Sequence, residues 1–403
     1  MEGTHDTDAA PGVDTRRWWT LAIFTYVALE GASLQMRGAV VPVLRESFGT
    51  PDWQLGLVAP AGTIGFLVFV ALVGAISGRV NTRRVFLLGI LGTGASVFAI
   101  GFTPSFTFFL VALVVRGSFG GIGRGTDRPL LSHLHAANRG KWFSYYDAVW
   151  AIGATIGPLV VTAALWLGDW RFAYYALGIG FFPVAALVWL LPAPSIDDGG
   201  DDVLTLSEVW RVGRRPEVLV MIAGIFLSTG VEGGLFTWLT TYAQGRVPAS
   251  MVTASLSVLL VAYIPGRFVA GQLSERIGYV RLMFGLAGGC LLSIVYTFVF
   301  ADGVGILVGL FGIGFTLSGL YPTLLAYSTG AVPEHSAPIN SLALVVSSLG
   351  IAGVPALQGF VISDMGIALA MQLLVIPVGV LVVVAVVAWV RVGRTQIYKE
   401  NSS

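Results

Sequence analysis

Long apolar segments recur through this chain of 403 residues and constrain its fold more than any other feature. A helix needs about 20 apolar residues to cross a bilayer core, and its backbone must satisfy its own polar groups there. Charged residues make up 11% of the chain, against roughly 25% in soluble proteins. The sequence therefore predicts an all-α membrane protein with twelve transmembrane helices. The predicted spans are residues 18–43, 53–77, 84–103, 107–134, 141–167, 171–192, 216–243, 250–275, 281–301, 303–330, 335–362 and 366–391.

Arginine and lysine residues concentrate on one side of this predicted topology. The loops and tails on the side of both termini hold fifteen of the 23 basic residues, whereas the other loops hold only Arg45, Arg171 and Arg246. Basic loops are retained in the cytoplasm. We therefore expect a multi-pass protein of the plasma membrane with both termini cytoplasmic. The acidic N-terminal tail has no apolar core segment with a cleavage site, so no removable signal peptide is predicted.

One long polar segment divides the predicted helices into two sets of six. The predicted organisation is a cytoplasmic tail over 1–17, an N-terminal six-helix bundle over 18–192, a cytoplasmic linker over 193–215, a C-terminal six-helix bundle over 216–391 and a cytoplasmic tail over 392–403. An internal repeat relates the two bundles. The same separation joins Ser77 to Ser274, Arg79 to Arg276, Arg84 to Arg281, Gly153 to Gly350 and Pro158 to Pro355. The repeat predicts two pseudo-symmetric bundles.

Three motifs in this framework resemble signatures of the major facilitator superfamily. GAISGRVNTRRV after the second span and its copy GQLSERIGYVRL resemble the family's GxLaDrxGrr loop, with Gly78 where an aspartate is usual. RGSFG in span four and GATIGP in span five resemble its RxxxG and GxxxGP signatures. The resemblance implies the major facilitator fold. It also implies gating roles for Arg79, Arg83, Arg84, Glu275, Arg276 and Arg281, and close helix packing through Gly153, Gly157 and Pro158.

The second half is similar to the fucose/glucose–proton symporter group of that superfamily. The similar runs are GVEGGLFTWLTTY, GRFVAGQLSERIG and YPTLLA. The first half departs from the group, because Gly38 falls where the group has an aspartate and Arg124 falls where it has a glutamate. The resemblance implies monosaccharide–proton symport, while the two departures leave other solutes open.

Ionisable side chains inside the predicted spans are the main candidates for a functional site. A charge in the bilayer costs at least about 2.5 kcal/mol, so it needs a partner, a water-filled cavity or a function. Glu30 lies about 18 Å into the first span, and Arg37 projects from the same face about 10 Å farther on. Span four carries Arg116, Arg124, Asp127 and Arg128. These four share about a third of the helix surface, which must face a cavity or a neighbouring helix.

The candidate substrate-binding residues are Glu30, Gln35, Arg37, Arg124, Asp127, Trp238, Tyr321 and Asn340. The candidate ion-coupling carboxylates are Glu30 and Glu232, which occupy corresponding positions of the two halves. Arginine suits carboxylate or phosphate, and aromatic rings suit a sugar or an organic ring. Fixed pairing between helices and ordinary packing are the structural alternatives for the same residues.

These observations predict a secondary active transporter that works by alternating access. No GxxxxGK[ST] nucleotide-binding run occurs in the chain, so an ion gradient is the expected energy source. Ion-coupled symport of a small polar organic solute such as a monosaccharide is the first interpretation. An organic-anion transporter using intramembrane arginines and a proton-coupled efflux antiporter are alternatives, and a non-transporting membrane sensor is a remote one.

Other function classes are disfavoured. A formal net charge of +1 argues against nucleic acid as a partner. The single cysteine, Cys290, cannot form an intrachain disulfide, and His133 and His135 are too few for a metal site. We therefore expect no enzymatic activity, no cofactor and no metal. The expected partners are a solute, H+ or Na+ as the coupling ion, and the lipid bilayer around a monomer.

Overall fold

The computed structural model describes residues 13–76, 80–193 and 206–400. Its twelve long helices are α1 (Val13–Phe48), α2 (Val58–Ile76), α3 (Thr82–Ile100), α4 (Phe106–Leu134), α5 (Arg139–Trp166), α6 (Arg171–Leu190), α7 (Pro216–Ala243), α8 (Ala254–Ile277), α9 (Tyr279–Phe300), α10 (Val304–Ala331), α11 (Ser336–Met365) and α12 (Ile367–Val390). Each predicted span corresponds to one of these helices. The predicted all-α architecture is confirmed.

The first helix is longer and more polar than the others. Within the described residues, eleven helices are long and apolar enough to cross a membrane, and α1 is not among them. Its middle carries Glu30, Gln35 and Arg37, which lower its hydropathy. At 36 residues it extends about 54 Å, well beyond a 30 Å hydrocarbon core. The helix extends beyond the predicted span 18–43 at both ends, because apolarity marks the lipid-embedded part of a helix and not the end of its hydrogen bonding.

Prolines interrupt four of the helical segments. The prolines are Pro60, Pro265, Pro322 and Pro377, and the helix breaks precede them at 56–57, 262, 318–319 and 373–374. A proline ring collides with the carbonyl four residues earlier and removes one backbone donor. Each break lies three or four residues before its proline, at the position of this collision, whereas other helices continue through Pro42, Pro129, Pro158, Pro183 and Pro355. The breaks divide α8, α10 and α12 and separate α2 from the helical turn at Asp52–Leu55.

The two sides of the helical layer can be distinguished by their contacts. On the side where α1 begins and α12 ends, called the terminal side here, the Trp19 indole N–H donates to the Pro192 carbonyl at 3.1 Å. On the opposite side, the Tyr175 hydroxyl donates to the Gly101 carbonyl at 2.7 Å. These bonds fix both ends of α6 against α1 and α3.

Glycines let α1 and α5 approach each other closely. A methyl group added at Gly153 would overlap the backbone of Ala28, and one added at Gly157 would overlap that of Ala32. Small residues at such contacts replace the missing hydrophobic drive for helix association in lipid. The helix α5 continues through Pro158 without a break.

The second half repeats this arrangement between α7 and α11. A methyl group at Gly350, the repeat counterpart of Gly153, would lie 2.6 Å from the Phe226 carbonyl oxygen and 2.9 Å from the Gly230 nitrogen. The pair α7–α11 therefore packs as the pair α1–α5 does. The internal repeat of the sequence is expressed as repeated helix packing.

The two halves meet on the opposite side of the layer. Among the described residues, the hydrogen bonds between the halves join Thr155 to Ser257, Thr162 to Thr253, and Trp53 to Ser363. The Trp53 and Phe360 rings stack across the same boundary with centroids 6.2 Å apart. Gly38 of α1 lies against the Phe236 carbonyl of α7. All these contacts lie in the half of the layer away from the termini.

Replacing Gly153 by alanine should destabilise the protein, because the added methyl group overlaps the α1 backbone. The expected loss is about 1–3 kcal/mol, the usual cost of overpacking. Thermal unfolding of the purified protein in detergent measures it. The matched control is Gly140→Ala in the same helix, since no atom lies within 4 Å of a methyl group there. Equal unfolding temperatures for the two variants would contradict the packing argument.

Candidate functional site

A buried ion pair joins α1 to α4. Arg116 Nη2 donates to Glu30 Oε1 at 2.9 Å, to the Glu30 carbonyl at 3.2 Å and to the Ser33 hydroxyl at 2.5 Å. The two charged side chains are only 5% and 4% exposed. Attraction between opposite charges is strong where water is excluded, and breaking such a pair leaves an uncompensated charge. The pair therefore fixes the rotation of α1 against α4.

A second charged group joins α4 to α5 nearer the terminal side. The Tyr146 hydroxyl donates to Asp127 Oδ2 at 2.5 Å and accepts from Arg124 Nη1. The same guanidinium lies 3.6 Å from Asp127 Oδ2, and the Arg128 backbone N–H donates to Asp127 Oδ1 at 2.6 Å. Asp127 is fully buried. Its carboxylate is thus neutralised and fully hydrogen-bonded within the N-terminal half.

The outermost pair of this region is open to solvent. Arg128 Nη2 lies 2.8 Å from Asp147 Oδ1, and the two side chains are 50% and 45% exposed. Tyr321 of α10, in the other half, acts electrostatically with both residues. Charged and polar groups of the two halves therefore face each other on the terminal side without an inter-half hydrogen bond among the described residues.

Arg37 differs from the three arginines of α4, Arg116, Arg124 and Arg128. Its side chain is 7% exposed, yet it forms no hydrogen bond or ion pair with any residue that the structure describes. The ionisable groups that act on it electrostatically are Arg116, Glu30 and Tyr174. The site between α1 and α4 therefore contains two arginines, Arg37 and Arg116, and one carboxylate, Glu30. That carboxylate is already paired with Arg116.

The corresponding carboxylate of the second half has a different environment. Glu232 Oε1 accepts a hydrogen bond from the Tyr263 hydroxyl at 2.9 Å. Arg267 acts on Glu232 electrostatically and lies over the Tyr263 ring, 5.5 Å from its centroid, and no direct ion pair joins them in the described part of the chain. Glu30 and Glu232 occupy equivalent positions, but only Glu30 is held in a contact ion pair.

The uncharged candidates lie at different depths. Trp238 is fully buried and its indole N–H donates to the Pro355 carbonyl at 3.0 Å, so its ring packs within the C-terminal half in this conformation. Gln35 is 1% exposed and its Nε2 lacks a partner among the described residues. Tyr321 is partly exposed, whereas Asn340 is exposed and donates to the Ser336 carbonyl at 2.8 Å. Binding roles for these four residues stay predictions.

The predicted gating residues lie on the terminal side. Arg83 donates to the carbonyls of Val188 and Trp189, which ties the start of α3 to the end of α6. Exposed side chains are carried by Arg84, Glu275, Arg276 and Arg281. Arg79 lies outside the described residues. The gating roles stay predictions.

The histidine nearest the site has a packing role. The His135 ring stacks on Trp142 with centroids 3.8 Å apart, and its Nε2 lies 2.8 Å from the Thr20 hydroxyl. Burial and the nearby Arg16 charge lower the pKa of His135. No group of three or more His, Cys, Asp or Glu residues suited to a metal ion occurs in the part of the chain that the structure describes.

Sequence reasoning missed the hydroxyl groups that complete these clusters. Ser33 follows Glu30 by three residues, a spacing that brings both to one helix face and could have indicated the contact. Tyr146 precedes Asp147 and bridges Arg124 and Asp127. Nothing in its local sequence indicates that role, because the contact depends on how α5 packs against α4.

Comparison with known proteins finds relatives of this chain. The family model of the Major Facilitator Superfamily matches residues 23–355 of the chain. Puromycin resistance protein pur8 of Streptomyces alboniger is 29% identical over 191 residues, which are 46% of this chain and 37% of that protein. The chain thus matches well under half the length of that relative. Membrane sensor protein UhpC of Escherichia coli strain K12 is 24% identical over 363 residues, covering 80% of this chain and 81% of that protein.

Solved structures share the fold. A bacterial homologue of the human lysosomal transporter Spinster, solved in an inward-facing and occupied conformation, has a TM-score of 0.79 at 16% identity and covers 94% of this chain and 97% of its own. The E. coli fucose:proton symporter FucP has a TM-score of 0.62 at 17% identity and covers 91% of this chain and 97% of its own. The predicted major facilitator fold is confirmed. The narrower symporter subgroup stays a prediction.

Replacing Arg116 by glutamine should leave the Glu30 carboxylate buried without its cation. We expect a loss of about 3–5 kcal/mol of stability, measured as a fall in the thermal unfolding temperature. The double variant Glu30→Gln/Arg116→Gln should recover most of the loss, because it removes both members of the ion pair and restores the net charge of the site.

Arg128→Gln is the matched control for this change. Its ion pair with Asp147 is exposed, so the expected effect is at most about 1 kcal/mol. Arg116→Gln and Arg128→Gln with equal effects would show that the Glu30–Arg116 pair does not organise the N-terminal half.

Proposed function

Because the chain belongs to the Major Facilitator Superfamily, we propose that it is a secondary active transporter that moves a small polar organic solute across the membrane by alternating access. The two rigid units of the cycle are residues 18–192 and 216–391. With both termini cytoplasmic, as the distribution of basic residues indicates, the terminal side of the protein faces the cytoplasm. The protein itself lies in the plasma membrane.

The observation that carries this proposal is the one-sided contact between the halves. The inter-half hydrogen bonds, such as Ser257 to the Thr155 carbonyl at 2.8 Å, lie on the opposite side. On the terminal side the Arg128–Asp147 pair is exposed instead. This asymmetry is that of a carrier closed towards one compartment and open towards the other. The reverse state requires the opposite-side contacts to part and the terminal side to close.

The charged loop residues fit the terminal closure. The side chains of Arg84, Glu275, Arg276 and Arg281 are exposed in the present state. Arg83 already holds the ends of α3 and α6 together. In the reverse state the loops of the two halves approach, and their opposite charges would provide the contacts that hold the terminal side shut.

Glu232 is the better of the two candidates for ion coupling. Glu30 is held by Arg116 at 2.9 Å, so releasing its charge breaks a buried ion pair. Glu232 has one hydroxyl donor and no contact ion pair among the described residues. A carboxylate with fewer fixed partners exchanges a proton with less rearrangement. Proton-coupled symport through Glu232 is therefore the coupling scheme that the geometry supports.

Three solute classes have specific support. A monosaccharide is supported by the symporter-like runs of the second half and by the shared fold with a fucose:proton symporter. An organic anion is supported by Arg37, whose charge has no contact partner in the described chain. Efflux of an amphipathic compound has support from the partial match to a puromycin resistance protein. A sensor without transport is the alternative that the match to UhpC raises.

Flux through the purified protein in liposomes tests the proposal. We expect a proton gradient to drive accumulation of at least one solute from a panel of neutral sugars, sugar acids, sugar phosphates and puromycin, without chemical conversion. Protein-free liposomes give the background. Solute binding without flux in either direction would contradict transport and favour the sensor.

Glu232→Gln separates coupling from transport. The variant should lose accumulation driven by the proton gradient and retain solute exchange between loaded liposomes and medium, because exchange needs no net proton movement. Glu217→Gln, at the terminal-side start of the same helix, is the matched control and should keep both activities. Gradient-driven accumulation by Glu232→Gln at the wild-type level would remove Glu232 from the coupling scheme.

A further inference from the structure

Among the residues that the structure describes, one arginine of the membrane-spanning helices is left over when the charges are paired. Arg116 pairs with Glu30, Arg124 with Asp127, and Arg128 with Asp147. In the second half, Arg267 acts on Glu232. Each of these groups sums to zero charge. Arg37 remains as an excess positive charge, and it is 7% exposed.

Among the described residues, the carboxylate that acts on Arg37 is Glu30, which Arg116 already holds, and the other ionisable groups that act on it are Arg116 and Tyr174, both donors. The guanidinium of Arg37 faces Gly62 of α2, where a methyl group would come within 3.0 Å of Nη1. The nearby Tyr174 hydroxyl on α6 is buried and has no hydrogen-bond partner in the described chain. A guanidinium has five N–H donors and no acceptor. Leaving such a buried group unsatisfied costs stability, so an external acceptor has much to gain there.

We propose that Arg37 and Tyr174 form a subsite that binds the carboxylate group of a singly charged organic acid. The proposal rests on the transport function proposed above and names the class of its solute. Two guanidinium N–H groups match the two oxygens of a carboxylate, and the tyrosine hydroxyl supplies a third donor. The solute becomes the counter-ion that the chain itself lacks.

The net charge of the site favours one negative charge over two. Glu30, Arg37 and Arg116 together carry a single excess positive charge. A monoanion neutralises it, whereas a dianionic phosphate ester would leave a net negative charge beside the Glu30 carboxylate. The Glu30 carboxylate therefore repels a dianionic ligand more strongly than a monoanionic one.

The subsite lies beside the contact between the halves. Gly38, the next residue of α1, packs against the Phe236 carbonyl of α7 on the opposite side of the layer. The Arg37 guanidinium itself faces Gly62 of α2, so an anion at Arg37 lies at the depth of this contact, on the side of the N-terminal half.

Binding to the full-length detergent-purified protein tests the subsite. The probes are gluconate and glucuronate as singly charged acids, glucose as the neutral counterpart and glucose 6-phosphate as the dianion. We expect either acid to raise the unfolding temperature, since a ligand of the folded state stabilises it. Glucose should give no comparable rise and glucose 6-phosphate a smaller one. A rise with glucose equal to that with both acids, or a larger rise with glucose 6-phosphate, would overturn the proposal.

Substitutions assign the effect to Arg37. Arg37→Gln should weaken acid binding by about 10- to 100-fold, as expected for loss of charge-assisted hydrogen bonds. Tyr174→Phe should weaken it several-fold. Arg171→Gln, which removes an arginine paired with Asp169 outside the site, should leave it unchanged. Acid binding by Arg37→Gln at wild-type affinity would overturn the proposal.

A stability measurement without ligand guards against a folding artefact. Removing an unpaired buried charge should not destabilise the empty protein, so Arg37→Gln should unfold at or above the wild-type temperature. A large fall would mean that Arg37 has an internal partner, which overturns the subsite. Failure of the transport proposal looks different, because the acids would still bind through Arg37 while liposomes showed no flux.

Discussion

The hydrocarbon core of a bilayer does not hydrate ions, and this constraint organises the whole N-terminal half. An intramembrane charge therefore needs a partner inside the protein, a water-filled cavity or a function. The Glu30–Arg116 pair joins α1 to α4, and the Arg124–Tyr146–Asp127 group joins α4 to α5. Close glycine contacts bring α5 back to α1. Charge pairing and small residues together define the relative positions of α1, α4 and α5, and within the described residues they leave Arg37 as a buried charge with no contact counter-ion.

The two halves share their backbone plan but not their chemistry. Gly153 and Gly350 occupy equivalent positions in equivalent helix pairs. Glu30 and Glu232 are also equivalent in sequence, yet one is held in a contact ion pair and the other accepts from a tyrosine. A symmetric scaffold supports the exchange between two access states. The unequal carboxylates allow one half to hold a fixed structure while the other exchanges a proton.

Much of the fold followed from patterns in the sequence, because apolar length and glycine spacing are local properties. The number of helices, the internal repeat and the close helix contact at Gly153 could all be predicted in this way. The helix breaks before Pro60, Pro265, Pro322 and Pro377 could not be predicted from proline alone, since other helices continue through Pro42, Pro129, Pro158, Pro183 and Pro355. The partners of the arginines could not be predicted. Which carboxylate meets Arg116 or Arg124 depends on helix rotation and side-chain conformation, and the burial of Trp238 depends on the packing of α7 against α11.

The central claim is that the two halves alternate between closure on opposite sides of the membrane. Distances between pairs of nitroxide spin labels test it most directly in a Cys290→Ala background, since Cys290 is the only native cysteine. One pair at Lys141 and Gln272 reports on the terminal side, and one at Asp169 and Gln244 reports on the opposite side. The account predicts that solute or a proton load populates a second state in which the first distance shortens and the second lengthens. Distances that stay fixed, or that change in the same direction on both sides, would contradict it.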